Sequence, residues 1–470
     1  MDFVYITDSN YTYPTGNDIL SQNNVVYKMI SEALYHLGYD AENFGKESWN
    51  PLKEIINEGE TVLIKPNLVM HSNPIGGLEC MVTHPSVIFA VLEYVFKALN
   101  NTGVVIIGDA PVQTCDFDEL MDKGGYRIIQ DYYKSIGKEI IFYDFRNTVT
   151  RQSGDGVYIQ EKNDNISFSS KCVDLGMESA FCELESKDLD KLRITNYTSD
   201  VLMIHHNKER QEYLITDALL KADVIINIPK PKSHRKAGVT GALKNMVGIN
   251  SSKEYLPHHR IGSKEEGGDE YQYTDVIKSL RTGLQEKINV CNANGNYIKS
   301  KLLHYVSILL YQIQKLRKEK DKYGEGSWYG NDTIWRMIKD ITRIVFFADK
   351  NGIVQKDKQR RMLVIADMIV CGQKEGPLIP SPYPMNGILV GTNPVVVDNV
   401  ILKLFGLEKK YFPSIYKQSD LLNEEIIRGR VKNKDMIMNL SLRELPISEK
   451  RIQLSDGWKN SAIYDIKNEV

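Results

Sequence analysis

Closely spaced cysteines are missing from this 470-residue chain. Cys80, Cys115, Cys172, Cys182, Cys291 and Cys371 stand far apart, and none shows the two-residue gap of a zinc or thiol–disulfide motif. Reduced thiols in a cytoplasmic protein are expected. A charge excess is missing too. Lys and Arg number 59 against 61 Asp and Glu, a formal charge of −2, which argues against a nucleic-acid-binding surface and keeps any basic site local. No segment reaches the ~20 apolar residues of a membrane span. The most apolar helical stretch, 302–313, is broken by His304, Tyr305, Ser307 and Gln312. The opening Met1-Asp2-Phe3-Val4 lacks the basic-then-apolar pattern of a signal peptide. There is no Gly-x-Gly-x-x-Gly after a strand, no Walker loop, no Gly-x-Ser-x-Gly elbow and no His-Glu-x-x-His helix, which removes several common enzyme classes. Repeats and low-complexity segments are also absent from the sequence.

What is present is ordinary globular composition, 42% hydrophobic and 26% charged, in a chain long enough for two or three domains or one large α/β unit. Short apolar, β-branched runs at 3–7, 62–64, 104–107, 140–143, 201–204, 224–228, 363–366 and 388–390 read as strands. Between the early ones, Val25, Val26, Met29, Ile30, Ala33, Leu34 and Leu37 recur at helical spacing after Asn23 or Asn24 and stop at Gly38. Pro85 opens a second helix whose apolar face runs from Val87 to Leu99. This alternation predicts an α/β fold: a largely parallel, Rossmann-like sheet with helices on both faces. The chain divides into a first α/β portion (1–146), a small β-rich excursion (147–199) and an α/β portion with a lysine- and histidine-bearing motif (200–263). A helical insertion (264–347), a return to the sheet (348–410) and a C-terminal extension (411–470) follow. The charged run 315–322 reads as a solvated helix end.

The most informative stretch is 222–250. A buried strand ends at Pro229 and Pro231, because proline has no N–H for a sheet ladder. Lys230, Lys232, His234, Arg235 and Lys236 follow, then a small-residue segment read as a helix with Thr240 and Lys244 one turn apart, and then Asn245. Strand, cationic turn and glycine-bearing helix make a natural anion site. Other polar groups also fall just after strands: Lys65 and Asn67, Asp109, Asp367 and Asn393. In an open parallel sheet those ends share one edge, where ligands bind. His84, before Pro85, is expected at the same edge, with a structural role as its plainer reading.

The motifs carry a resemblance. Lys-Pro-Lys-Ser-His (230–234) with Gly-Val-Thr-Gly-Ala-Leu-Lys-Asn-Met-Val-Gly (238–248) resembles the signature of the domain-of-unknown-function 362 family. So do Leu-Ile-Lys-Pro-Asn-Leu (63–68), Thr-His-Pro (83–85), Gly-Asp-Ala-Pro (108–111) and Tyr-Leu-Pro-His-His-Arg-Ile-Gly (255–262). Gly-Gly-Asp (267–269), Gly-Asn-Asp-Thr-Ile-Trp-Arg (330–336) and Glu-Gly-Pro-Leu (375–378) complete the match, which spans roughly residues 60 to 410. Many members of that family carry a ferredoxin-like segment with clustered cysteines. This chain has none, so no iron–sulfur cluster is expected in it. A fainter similarity joins His234, the glycines and Lys244 to the nickel-pincer lactate racemase family, which would make Lys244 an anchor and His234 an acid/base.

These readings define an expected enzyme acting by acid/base chemistry on a small anionic metabolite, such as a hydroxy acid or a phosphorylated compound. His234, Lys244 and Lys65 are the candidate catalytic residues; Asn67, His84, Lys230, Lys232, Thr240, Asn245 and Arg336 are the substrate-binding candidates. Asp109, His258, His259, Asp269, Asp332, Asp367, Glu375 and Asp398 are the candidate ligands of a divalent metal, magnesium ahead of nickel. Asp332 and Arg336, four apart, also fit a plain helix ion pair. The alternative is a non-catalytic binding or maturation protein that holds an anion or metal cofactor for a partner. The helical insertion is a candidate surface for homo-oligomerisation.

Overall fold

Residues 62–64, 106–107 and 224–226 are apolar at every position, the pattern of strands covered on both faces. The structure, a computed structural model, describes residues 1–152, 157–317, 323–418 and 427–459. Among the described residues eleven strands share one sheet. They are β1 (Phe3–Thr7), β2 (Thr61–Pro66), β3 (Val104–Asp109), β4 (Phe142–Asp144), β5 (Val224–Ile228) and β6 (Lys232–His234). The others are β7 (Gly238–Thr240), β8 (Arg361–Glu375), β9 (Ile379–Gly391), β10 (Arg428–Asn433) and β11 (Met436–Ser441).

The spatial order is β11-β10-β1-β9-β8-β5-β2-β3-β4, with the β6–β7 hairpin attached to β8. From β8 to β4 all neighbours are parallel. β9 runs antiparallel to both β1 and β8, and β1 is parallel to β10. The fold is therefore mixed α/β around a large, mostly parallel sheet. Alternate side chains enter different cores. Val62, Ile64 and Ile226 pack on one face, and Leu63 and Ile225 on the other.

The first face is covered by α1 (Val25–Leu37) and α2 (Pro85–Leu99). Asn24 accepts the Tyr27 N–H at 2.8 Å to start α1, and Gly38 ends it at φ 102°. In chain order there follow α3 (Asp200–His205), α4 (Ala242–Asn245), α5 (Val276–Ala293), α6 (Tyr297–Leu316), α7 (Ile334–Phe347) and α8 (Pro394–Leu404). α7 and α8 cover the second face, and α5 and α6 pack on each other. No described helix is long and apolar enough to cross a membrane. Residues 153–156 of the excursion, 318–322 of the charged run, and 419–426 and 460–470 of the extension lie outside the described residues.

Four local readings change. Residues 201–204 are helical, because only Leu202 of that run is buried and the segment is amphipathic rather than a core strand. Residues 238–240 form a strand, not a helix. Gly238, at φ 80°, turns the hairpin under Phe412 and Trp458, where a Cβ would come within 2.6 Å and 2.7 Å of their rings. The strand begun at 363–366 continues to Glu375, so Asp367 lies inside it. Finally, β9 is antiparallel, which sends Asn393 to the opposite edge, where it caps α8 by accepting the N–H groups of Val395 and Val396.

Candidate active site at the strand ends

β2 delivers Lys65 to the sheet edge in a position where the side chain is fully buried. A buried ammonium needs a partner. The adjacent strand β3 ends in Asp109, and Lys65 Nζ lies 2.7 Å from Asp109 Oδ1. Lys65 also donates to the Pro66 carbonyl at 2.7 Å. Asp109 accepts the N–H of Leu68 through Oδ2 at 2.6 Å and that of Ala110 through Oδ1 at 2.8 Å. Burial lowers the Lys65 pKa, and Asp109 offsets part of that.

An amide ladder joins this pair to the motif. Asn67 Nδ2 donates to Asn245 Oδ1 at 2.8 Å, and Asn245 Nδ2 donates to the Lys65 carbonyl at 3.1 Å and to Asn227 Oδ1 at 2.7 Å. Lys232, also fully buried, donates to Asn67 Oδ1 and to the Lys230 carbonyl, and among the described residues no carboxylate pairs with it. Burial first, then the neighbouring Lys230, pull its pKa down to about 7.

These groups border a cavity of about 100 Å3, lined by Asn67, Asp109, Lys232, His234, Thr240, Lys244, Asn245 and Lys253. Thr240 and Lys244 reach it from a strand end and a short helix rather than from one helical face. Among the described residues Lys244 makes no hydrogen bond or ion pair. Burial, with Lys253, Lys65 and Lys236 nearby, lowers it to about 7, against the pull of Asp109. Lys253 donates to the Ala110 carbonyl at 3.0 Å, and burial brings it to about 8. The Thr240 hydroxyl is buried and has no hydrogen-bond partner among the described residues. His234 Nδ1 accepts the N–H groups of Lys236 and Ala237, both at 3.1 Å. Burial and the surrounding cations hold the ring neutral, so its proton sits on Nε2.

Two glycines permit this packing. A Cβ on Gly248 would lie 1.8 Å from Asp109 Oδ1, and one on Gly241 would lie 2.1 Å from Asp398 Oδ1.

Other candidates stand elsewhere. Lys230 and Asp367, both fully buried, pair at 2.6 Å; Tyr13 bonds to both, and Asp367 accepts the His84 N–H at 2.9 Å. His84 caps α2, stacks on Tyr13 at 4.0 Å, and is held neutral by burial with a pKa of about 3. Asp398 accepts the N–H groups of Ala242 and Leu243 and so anchors α4; burial raises its pKa to about 7. Asp269 accepts from Arg260 N, Asp332 N and the Thr333 hydroxyl. Asp332 accepts from Arg260 and the Trp335 indole, and Arg336 pairs with Asp332 and Glu183 and donates to Ala180 O. His258 donates from Nδ1 to Leu256 O. His259 and Glu375 line a separate cavity of about 670 Å3. The acids proposed from sequence as ligands of one metal are thus dispersed. Lys253 and Tyr13 were missed: the first follows no strand, and the second lies in an irregular segment over two hundred residues before Lys230, with no local motif.

The fold and this cavity define a class: mixed α/β proteins built on a large, mostly parallel sheet, here with a lysine-lined cavity at its strand ends. The family model described as a domain of unknown function, DUF362, matches residues 62–152 and 146–403. The chain belongs to that family. No curated protein and no solved structure matches it.

Proposed function

We propose that the chain is an enzyme whose strand-end cavity binds a small anion, a carboxylate or phosphate group, and carries out proton transfer on it. The observation that carries this reading is the convergence of Lys232, Lys244 and Lys253 on one small cavity, with the adjacent Asp109 already paired to Lys65. Such a surplus of ammonium groups favours an anion and disfavours a divalent cation. Lys232 and Lys253 hold the charge, and the unpartnered Thr240 hydroxyl adds a hydrogen bond. The His234 Nε2–H donates to the bound group. Lys244, with a pKa near neutrality, serves as the base. The volume of about 100 Å3 fits one anionic head group, which supports hydroxy acids and simple phosphorylated metabolites as the substrate class.

The parallel run from β8 to β4 supports a Rossmann-like reading of that half of the sheet. Free cysteines throughout the described chain support a reducing, cytoplasmic setting.

Calorimetry with inorganic phosphate, lactate and glycolate, followed by product analysis across hydroxy acids and phosphorylated compounds, tests the function. Saturable binding with turnover lost in Lys244→Met supports it. Binding with no product across the panel favours a non-catalytic carrier, and no anion binding overturns the reading.

The helical insertion supports a second copy of this chain as partner. On α6, Ile298, Leu302, Tyr305, Leu309 and Leu316 are half to mostly exposed and follow the three-four spacing of a coiled-coil seam. With Val306, Ile313, and Val276 and Leu280 of α5, they offer on the order of 800 Å2, the per-partner area of a stable interface.

A further inference from the structure

Away from the anion cavity, three side chains from three elements converge. Cys172 lies on the strand Ser170–Asp174, Glu212 on its antiparallel partner Glu212–Thr216, and His205 at the end of α3. Cys172 pairs with Leu214, so Glu212, two residues further along, faces the same side of this ribbon. His205 Nδ1 lies 2.6 Å from Glu212 Oε2, and one ligand atom from each of the three residues lies within 4.8 Å of the other two. The Cys172 side chain is exposed, whereas those of His205 and Glu212 are 19% and 18% exposed, which leaves an open approach from solvent. The Tyr255 ring lies over His205 with centroids 4.2 Å apart and limits its swing. None of the three lines the anion cavity.

We propose that Cys172, His205 and Glu212 bind a thiophilic divalent cation of the zinc type, with water in a fourth position. One thiolate, one imidazole and one carboxylate match the borderline-soft donor preference and tetrahedral geometry of Zn2+. Magnesium and calcium, which prefer all-oxygen sites, are poor matches. Binding replaces the His205–Glu212 hydrogen bond and the thiol proton, so it releases protons and strengthens as pH rises. A surface His–Glu pair with an incidental cysteine beside it would instead show no sulfur–metal bond.

The test uses the full chain stripped of metal. Zn2+ is titrated against a chromophoric chelator, and Co2+ is used as a spectroscopic substitute. The expected result is one Zn2+ per chain and a thiolate-to-Co2+ charge-transfer band. Cys172→Ser removes the band, and both Cys172→Ser and His205→Gln lower Zn2+ affinity by more than about tenfold. Absence of the charge-transfer band in the wild-type chain overturns the proposal without reliance on any variant. So does a stoichiometric site whose affinity is unchanged in both variants.

Discussion

The Lys232 ammonium ends on Asn67, an amide, where Lys65 and Lys230 each end on a carboxylate. Asn67 satisfies the hydrogen bond and leaves the charge uncompensated. A bound anion would supply the missing charge and pull protons back onto Lys232, whose pKa burial and Lys230 lower to about 7. Binding of glycolate, which stays ionised throughout this range, is therefore expected to take up protons and to weaken as pH rises from about 7 to about 9. Calorimetry in buffers of different ionisation enthalpy measures the uptake; an enthalpy independent of buffer would contradict it.

Lys232 and Lys244 also shape stability. Their folded pKa values, about 7, lie below the ~10.4 of an unfolded lysine, so between these limits the unfolded chain binds more protons. Their contribution thus makes stability rise with pH from about 7 towards about 10. Urea unfolding at several pH values should give a positive slope that flattens in the Lys232→Met variant.

Lys230 and Asp367 form a sealed pair outside the cavity lining. Asp367→Ala leaves a buried cation without its counter-ion and is expected to cost about 3–5 kcal/mol. Denaturant titration measures the loss, and a change below 1 kcal/mol would contradict the pairing.

Gly248→Ala drives a methyl group onto Asp109. The Lys65–Asp109 pair must shift, at a cost of about 1–3 kcal/mol, and because Asp109 lines the cavity, phosphate binding is expected to drop at least about tenfold. Wild-type affinity in a folded variant would detach this pair from the site.

Leu302→Glu with Leu309→Glu places charge in the α6 stripe. A dimer joined there should become monomeric by light scattering, while phosphate affinity stays unchanged because no α6 residue lines the anion cavity.

Sequence reasoning reached the parallel core because runs such as 224–228 are apolar at every position and their neighbours carry clear helical spacing. It also named most of the polar groups that line the cavity, since Asn67, Asp109 and Lys232 sit at or just beyond strand ends. It could not foresee that β9 reverses direction, because strand polarity is set by long-range pairing and leaves no local mark. Nor could it separate Lys230, which is locked to Asp367, from Lys232, two residues on, which is not. That difference depends on Tyr13 and Asn67, contributed by remote parts of the chain.

β1 lies between β9 and β10, strands formed more than 370 residues later. During synthesis this strand emerges with both edges bare and waits for more than 370 further residues before either neighbour exists. Closing such distant contacts is slow. Exposed edges in the meantime invite intermolecular pairing, so expression yield should be sensitive to chaperone supply.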